Sequence, residues 1–291
     1  MSVVVSTAYV LLAIALSLLA ISFHELGHAF KMRKYGIEIK EICLLGFGRV
    51  LYTFRLPFWF GDTPIHIKSI LLGASVEITD AGTERIDRLP YHAYADIYGG
   101  GIIANIVYIL LLISFLFLSF GILTITSDVT GALYALEIAL LLVGVGYLIW
   151  RYAHYVSAYL FPPLSLLIMY LVFEGLLHVS SFKEAQDSLG GPVGVATIGT
   201  NIYNSYQGLA APVMTAVLVS VALGSTNLIP LIPLDGGHLM LRLIRALVPT
   251  QYPRMEMPLR IGMASLVLVL VFLALLSDLS RLVMYVVHLV T

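Results

Sequence analysis

An unbroken apolar run from Val3 to Phe30 fixes the first element of this chain. At about 1.5 Å per residue it crosses the roughly 30 Å hydrocarbon core of a bilayer even when tilted, and Lys31, Arg33 and Lys34 close it with a basic anchor. Inside the run sits His24-Glu25-Leu26-Gly27-His28. On a helix, residues i and i+4 project from one face, so the two imidazoles can share a zinc ion at about 2.0 to 2.1 Å. Glu25 stands beside them, where a carboxylate can take a proton from a metal-bound water without ligating the metal. A shuffled chain of this composition would produce the pattern only about 0.007 times. The plainer reading is three polar residues solvated at a helix end, and it has to meet the cost of ionisable groups at membrane depth.

Composition extends the membrane reading to the whole chain. Hydrophobic residues make up 59% and charged residues 11%, with a mean hydropathy of +0.96, which excludes an ordinary soluble domain. The net charge of -1 says little; the placement of Lys and Arg says more, because basic residues near membrane ends set orientation. Nine of the sixteen lie between Lys31 and Arg88, and Arg242, Arg245, Arg254 and Arg260 share one later loop. Cys43 is the single cysteine, so neither an intrachain disulfide nor a Cys-based metal cluster can form. The N-terminus has no basic n-region or A-x-A site, so the first run reads as a retained helix.

The expected fold is a polytopic α-helical membrane protein of about six transmembrane helices with a small cytoplasmic, membrane-associated β element. Further spans are expected at Ile102 to Ile122, Leu133 to Trp150, Ala158 to Val179, Leu209 to Leu228 and Ile261 to Val287. With the N-terminus outside, the loops at 31 to 98, 151 to 157 and 235 to 260 are cytoplasmic and carry fourteen of the sixteen basic residues. The domain reading is therefore a first helix with HExxH at 1–34, a cytoplasmic β hairpin region at 35–98, and a second helix at 99–123. An extra helix pair follows at 124–187, and helices with the Leu-Asp-Gly motif and the C-terminal helix occupy 188–291. Strand patterns are expected at Ile37 to Leu45 and Lys68 to Thr79, broken by Gly46, Gly48 and Gly73.

A catalytic zinc usually takes three protein ligands and keeps one position for water. Asp235 is the candidate third, in Asn227-Leu228-Ile229-Pro230-Leu231-Ile232-Pro233-Leu234-Asp235-Gly236-Gly237-His238. Two prolines break the helix and two glycines let the backbone turn after the carboxylate. Broken backbone at membrane depth is tolerated where protein or a water-filled cavity satisfies it, and the topology puts this end at the face and depth of His28. The other reading is a plain helix end with Asp235 capping the next helix. Asn227 can hold a substrate peptide or stabilise an oxyanion, or simply pack between helices. His238 is a further metal candidate or a histidine at the polar boundary. The remaining histidines have no partner at ligand spacing.

HELGH on a first membrane helix together with NLIPLIPLDGGH on a later one resembles the site-2 protease family, zinc intramembrane metalloproteases, and most of all its bacterial regulator-of-sigma-E group. Gly46-Phe47-Gly48 and the following Lys68 to Thr79 hairpin, Gly100-Gly101-Ile102-Ile103-Ala104-Asn105, Gly191-Pro192-Val193-Gly194 and the final span support the likeness. It covers most of residues 1–123 and 188–282. The resemblance implies that His24, His28 and Asp235 bind one catalytic Zn2+, that Glu25 is the general base, and that Asn227 contacts the substrate backbone. Ile102 stands where the family has proline, and two extra spans stand where the bacterial group has PDZ domains. The partners implied are transmembrane protein substrates and the lipid bilayer, with no nucleic acid and with oligomeric state left open. The site would face the cytoplasm, in a prokaryotic plasma membrane. Two alternatives remain: an ion or proton transporter, which uses the same residue types in membrane helices, and a non-catalytic relative that holds membrane partners without cutting them.

Overall fold

The computed structural model describes residues 3–70, 73–125, 127–177 and 208–290, which form two compact units, Met1–Phe161 with Tyr206–Asn227 and Pro162–Ser205 with Leu228–Thr291. Among the described residues six helices are long and apolar enough to cross a membrane: Thr7–Lys34, Tyr91–Thr124, Val129–Arg151, Ala153–Leu171, Ala210–Leu228 and Tyr252–Ser280. That is the number expected, and it makes the protein a polytopic membrane protein with a small sheet.

In the first unit, helix α1 (Val3–Lys34) uses two faces. With about 100° between successive residues, His24, Gly27, His28 and Lys31 line one stripe, while Ser22, Leu26, Ala29 and Phe30 line the opposite one. The first stripe meets helix α4 (Tyr91–Thr124), which Gly27 and Gly100 let come so close that a methyl on Gly27 would strike the Gly100 carbonyl. The second stripe is covered by four strands: β1 (Ile39–Leu45), β2 (Phe47–Arg55), β3 (Pro64–Ile70) and β4 (Ser75–Ile78). Ala29, Ile42, Ile65 and Phe60 of the short helix α2 (Pro57–Phe60) are the buried centre of that contact, with Leu26 and Phe30 packed on it. Ser22 Oγ donates to the Leu44 carbonyl at 2.7 Å, which carries the β1–β2 turn as deep along α1 as the residues just before His24.

The sheet order is β2-β3-β1-β4, with β1 parallel to β3 and antiparallel to β4, and β2 antiparallel to β3. This corrects the hairpin expected over Lys68 to Thr79: β3 and β4 lie on opposite sides of β1 and do not pair. The long strand β2 fell outside the expected patterns because Arg49, Thr53 and Arg55 interrupt its apolar residues and Val50 to Tyr52 are exposed. Helix α3 (Asp80–Arg88), capped by Thr79 Oγ1 accepting from Gly82 N at 3.1 Å, also stands inside the region read as β. Helix α4 begins at Tyr91, well before the expected Ile102, because its first turns are buried in protein and need no long apolar run.

Helix α5 (Val129–Arg151) returns along α4, with Gly121 against Ala132 and Ala135, and Gly146 against Leu110 and Val107. A short helical segment α6 (Ala153–Tyr155) and a π turn over Val156–Leu160 follow, and Ser157 of that turn packs on Gly99, where a methyl group would collide with its Oγ. Helix α7 (Phe161–Leu177) passes into the second unit. Helix α8 (Ala210–Leu228) lies almost wholly in the first, where Val213, Ala216 and Val217 bury against Ala20, Tyr108 and Leu112. The second unit then holds helix α9 (Asp235–Leu247), in which Leu239 and Leu241 are buried, and helix α10 (Tyr252–Val290), whose Tyr252 ring lies 5.9 Å from the Arg245 guanidinium. Gly191-Pro192-Val193-Gly194 and the end of the span expected to reach Val179 lie outside the described residues.

Cys43 is 1% exposed, its thiol donates to the Gly46 carbonyl at 3.0 Å, and burial pushes its pKa up. Because the thiolate is the nucleophile, a raised pKa leaves the group neutral at pH 7. Maleimide labelling of the native protein is expected to run at least about tenfold slower than after denaturation, read as a labelling time course.

Candidate metal centre

The α1–α4 crossing brings the two histidines of HELGH against a stretch of α4. His24 and His28 are 4% and 7% exposed, with rings nearly perpendicular and Nε2 atoms 3.3 Å apart. Two nitrogens each about 2.05 Å from a tetrahedral ion stand about 3.3 Å apart, so the spacing fits two ligands of one zinc. His28 Nδ1 lies 2.8 Å from the Ile97 carbonyl. A carbonyl only accepts, so Nδ1 carries the proton and the lone pair is on Nε2, on the side facing His24. The Nδ1 of His24 lies 3.2 Å from the side-chain amide of buried Asn105.

Gly101 makes the room. A methyl group at that position would lie 2.5 Å from His28 Nε2 and 2.7 Å from His24 Nε2 and Cε1, inside any van der Waals contact. The space is therefore a cradle whose floor is a glycine backbone and whose walls are two imidazole nitrogens. Glu25, half-buried, leaves α1 about 100° round from His24, between the stripe that meets α4 and the stripe that meets the sheet.

One turn towards the basic end of α1, Asp96 is fully buried and takes Lys31 Nζ at 2.9 Å, Lys34 Nζ at 2.7 Å and the Tyr35 hydroxyl at 2.9 Å. Burial first, and then the Asp96 carboxylate, push the Tyr35 phenol up. Lys31 also stands 4.6 Å over the Trp150 ring of α5. A buried carboxylate satisfied by two ammonium groups and a hydroxyl locks α4 to the end of α1, and the next residue, Ile97, offers its carbonyl to His28.

In the second unit, Asp235 is 8% exposed and opens α9. Preceding it, Leu231 N donates to Ile229 O at 2.8 Å and Leu234 N to Leu231 O at 2.9 Å, in a tight connection that contains the cis Ile232–Pro233 bond. Gly236 and Gly237 fold onto that connection so closely that a methyl on either would strike the backbone of Leu228 or Leu231. The Leu-Asp-Gly-Gly sequence therefore points Asp235 from the first turn of a helix, and no side-chain cap bond is made at Leu234. Asn227 is half-buried at the end of α8, with Nδ2 donating to the Leu223 carbonyl at 3.0 Å. His238 is half-buried on α9. Among the sequence candidates, His24, Glu25 and His28 stand together in the first unit, and Asn105, Gly101 and the Ile97 carbonyl, to which the sequence reading gave no role, join them. The triple glycine at 99–101 was the available signal, since three glycines on a membrane helix mark a close approach.

A model of peptidase family M50 matches residues 11–269. The chain belongs to this family. Relatives include "Protease RseP" of Yersinia pestis, 42% identical over 98 residues, covering 33% of this chain and 21% of the relative, and "Protease RseP" of Photorhabdus luminescens, 40% identical over 97 residues, covering 33% and 42%. A third, "Putative zinc metalloprotease Atu1380" of Agrobacterium fabrum, is 37% identical over 99 residues, covering 33% of this chain and 26% of the relative. The chain thus spans about a quarter of the length of the curated relatives it first matches. Membership of a peptidase family agrees with the site-2 protease resemblance.

Proposed function

We propose that this chain is an intramembrane zinc endopeptidase that hydrolyses peptide bonds in the transmembrane segments of membrane-anchored proteins, near the cytoplasmic face of a prokaryotic plasma membrane. The observation that carries this reading is the pair of buried Nε2 atoms 3.3 Å apart over the bare backbone of Gly101.

Asp235 supplies the third ligand to His24 and His28. Its burial supports this, since a carboxylate taken out of water needs a cation or donors to hold its charge. A zinc ion held by these residues supplies a water of lowered pKa and a polarised scissile carbonyl. Glu25 takes the proton of the attacking water and returns it to the leaving nitrogen. Asn227 holds the substrate backbone, which requires its amide to exchange the Leu223 carbonyl for the substrate or to work through Oδ1.

A membrane helix cannot be cut until its carbonyls are unwound, and an unwound segment can be held as an added strand. The sheet has β2 and β4 as its outer strands, so of the segment Lys68 to Thr79 only Ser75–Ile78 can take an added strand; β3 is paired on both sides. Regulated intramembrane proteolysis, which the site-2 protease resemblance implies, belongs to the same proposal, as does the external N-terminus, which rests on the distribution of basic residues.

The test is zinc content and cleavage of a model transmembrane substrate by the purified full chain in detergent. One zinc per chain and cleavage are expected of the natural sequence, and Asp235→Ala is expected to weaken zinc binding at least about 100-fold and to abolish cleavage. A natural chain that binds no zinc, or an Asp235→Ala variant that keeps both properties, overturns the proposal.

A further inference from the structure

We infer that Asn105 is a positioning residue that holds His24 in the tautomer able to bind metal, through Oδ1 accepting the Nδ1 proton; this rests on the zinc-site reading above. Asn105 is 1% exposed and faces α8, where a methyl group on Gly224 would reach ordinary van der Waals contact with its Cβ and Nδ2. As placed, Nδ2 stands 3.2 Å from His24 Nδ1, and among the described residues Oδ1 has no hydrogen-bond partner. A buried acceptor without a donor costs about 1 to 3 kcal/mol. In that orientation the amide N–H donates into Nδ1, so the imidazole proton must sit on Nε2, on the nitrogen that faces His28 and the cradle. Such a histidine cannot ligate through Nε2.

Turning the amide by 180° exchanges its two ends, which differ only in hydrogen content. Oδ1 then receives the Nδ1 proton, and the lone pair is on Nε2. His28 is held in the same tautomer by the Ile97 carbonyl, so both ligands become a matched pair presenting Nε2. In that orientation Asn105 holds His24 by a hydrogen bond on its Nδ1 side, with no movement of a helix. The side chain touches no reacting atom.

The test compares the natural chain with Asn105→Asp and Asn105→Leu, each purified in detergent. Zinc affinity is measured by competition with a chromophoric chelator, and the tautomer of His24 by 15N NMR of the zinc-free proteins. A carboxylate accepts from Nδ1–H and cannot donate, so Asn105→Asp is expected to bind zinc within about threefold of the natural chain or tighter and to show the Nδ1–H form; Asn105→Leu is expected to lose about 10- to 100-fold in affinity. Equal zinc affinity in all three proteins overturns this inference while leaving the zinc site standing, and so does an Asn105→Asp as weak as Asn105→Leu. A natural chain that binds no zinc removes the reading on which it rests. Should Asn105→Leu not fold, the Asn105→Asp affinity and tautomer decide the matter alone.

Discussion

Glu25→Gln is expected to keep its zinc and lose peptide cleavage by about 10²- to 10⁴-fold, the range that a positioned general base contributes. The substitution keeps the size of the side chain and removes only its capacity to take a proton. Because Glu25 leaves α1 about 100° round from His24, it stands beside the imidazoles and not between them, so the metal cradle formed with Gly101 is untouched. Zinc stoichiometry near that of the natural chain, together with the loss of kcat on a model transmembrane substrate, is the result that fits. If the variant cleaved at the natural rate, Glu25 would have no part in proton transfer. If it lost its zinc, Glu25 would be holding the metal. The non-catalytic alternative predicts no cleavage by either protein, so the natural chain in the same assay separates it from the enzyme.

Much of this arrangement is legible in the sequence because it depends on local spacing. HELGH puts two imidazoles on one stripe wherever the segment is helical, and the basic residues after Phe30 fix which end of the span the stripe is near. The six spans are legible for the same reason, since length and apolarity are properties of a single segment. What is not legible comes from pairing between segments. The apolar pattern of Lys68 to Thr79 is that of strand residues, but nothing in it says that β1 inserts between its two halves. Strand β2 was missed because its residues face more than one environment, and the early start of α4 because protein, and not lipid, surrounds its first turns. The same holds within the site. Asn105 was visible as part of a motif, yet its purpose emerges only when α4 is seen against His24, eighty-one residues away in the chain. Ile97 has no sequence signal at all, because it acts through its carbonyl, which every residue has.

The glycines of α4 give the second large effect. Gly101→Ala is expected to abolish cleavage and weaken zinc binding by at least about 100-fold, although alanine is worth about 1 kcal/mol more than glycine in a helix interior. The added methyl has nowhere to go. It would stand 2.5 Å from His28 Nε2 and 2.7 Å from His24 Nε2, against the very atoms that must face the metal, and neither ring can retreat without breaking its contact to the Ile97 carbonyl or to Asn105. Relief by moving α4 outward is opposed by the Asp96 cluster with Lys31, Lys34 and Tyr35. Gly144→Ala on α5 is the matching control: nothing lies within 4 Å of a methyl at that position, so the same chemical change should leave zinc binding and cleavage as they were and raise thermal stability slightly. Zinc titration and unfolding midpoints of the two variants separate a local steric block from a general effect of stiffening a membrane helix. A Gly101→Ala protein that binds zinc as tightly as Gly144→Ala would show that the metal, if bound at all, is not held over this stretch of α4.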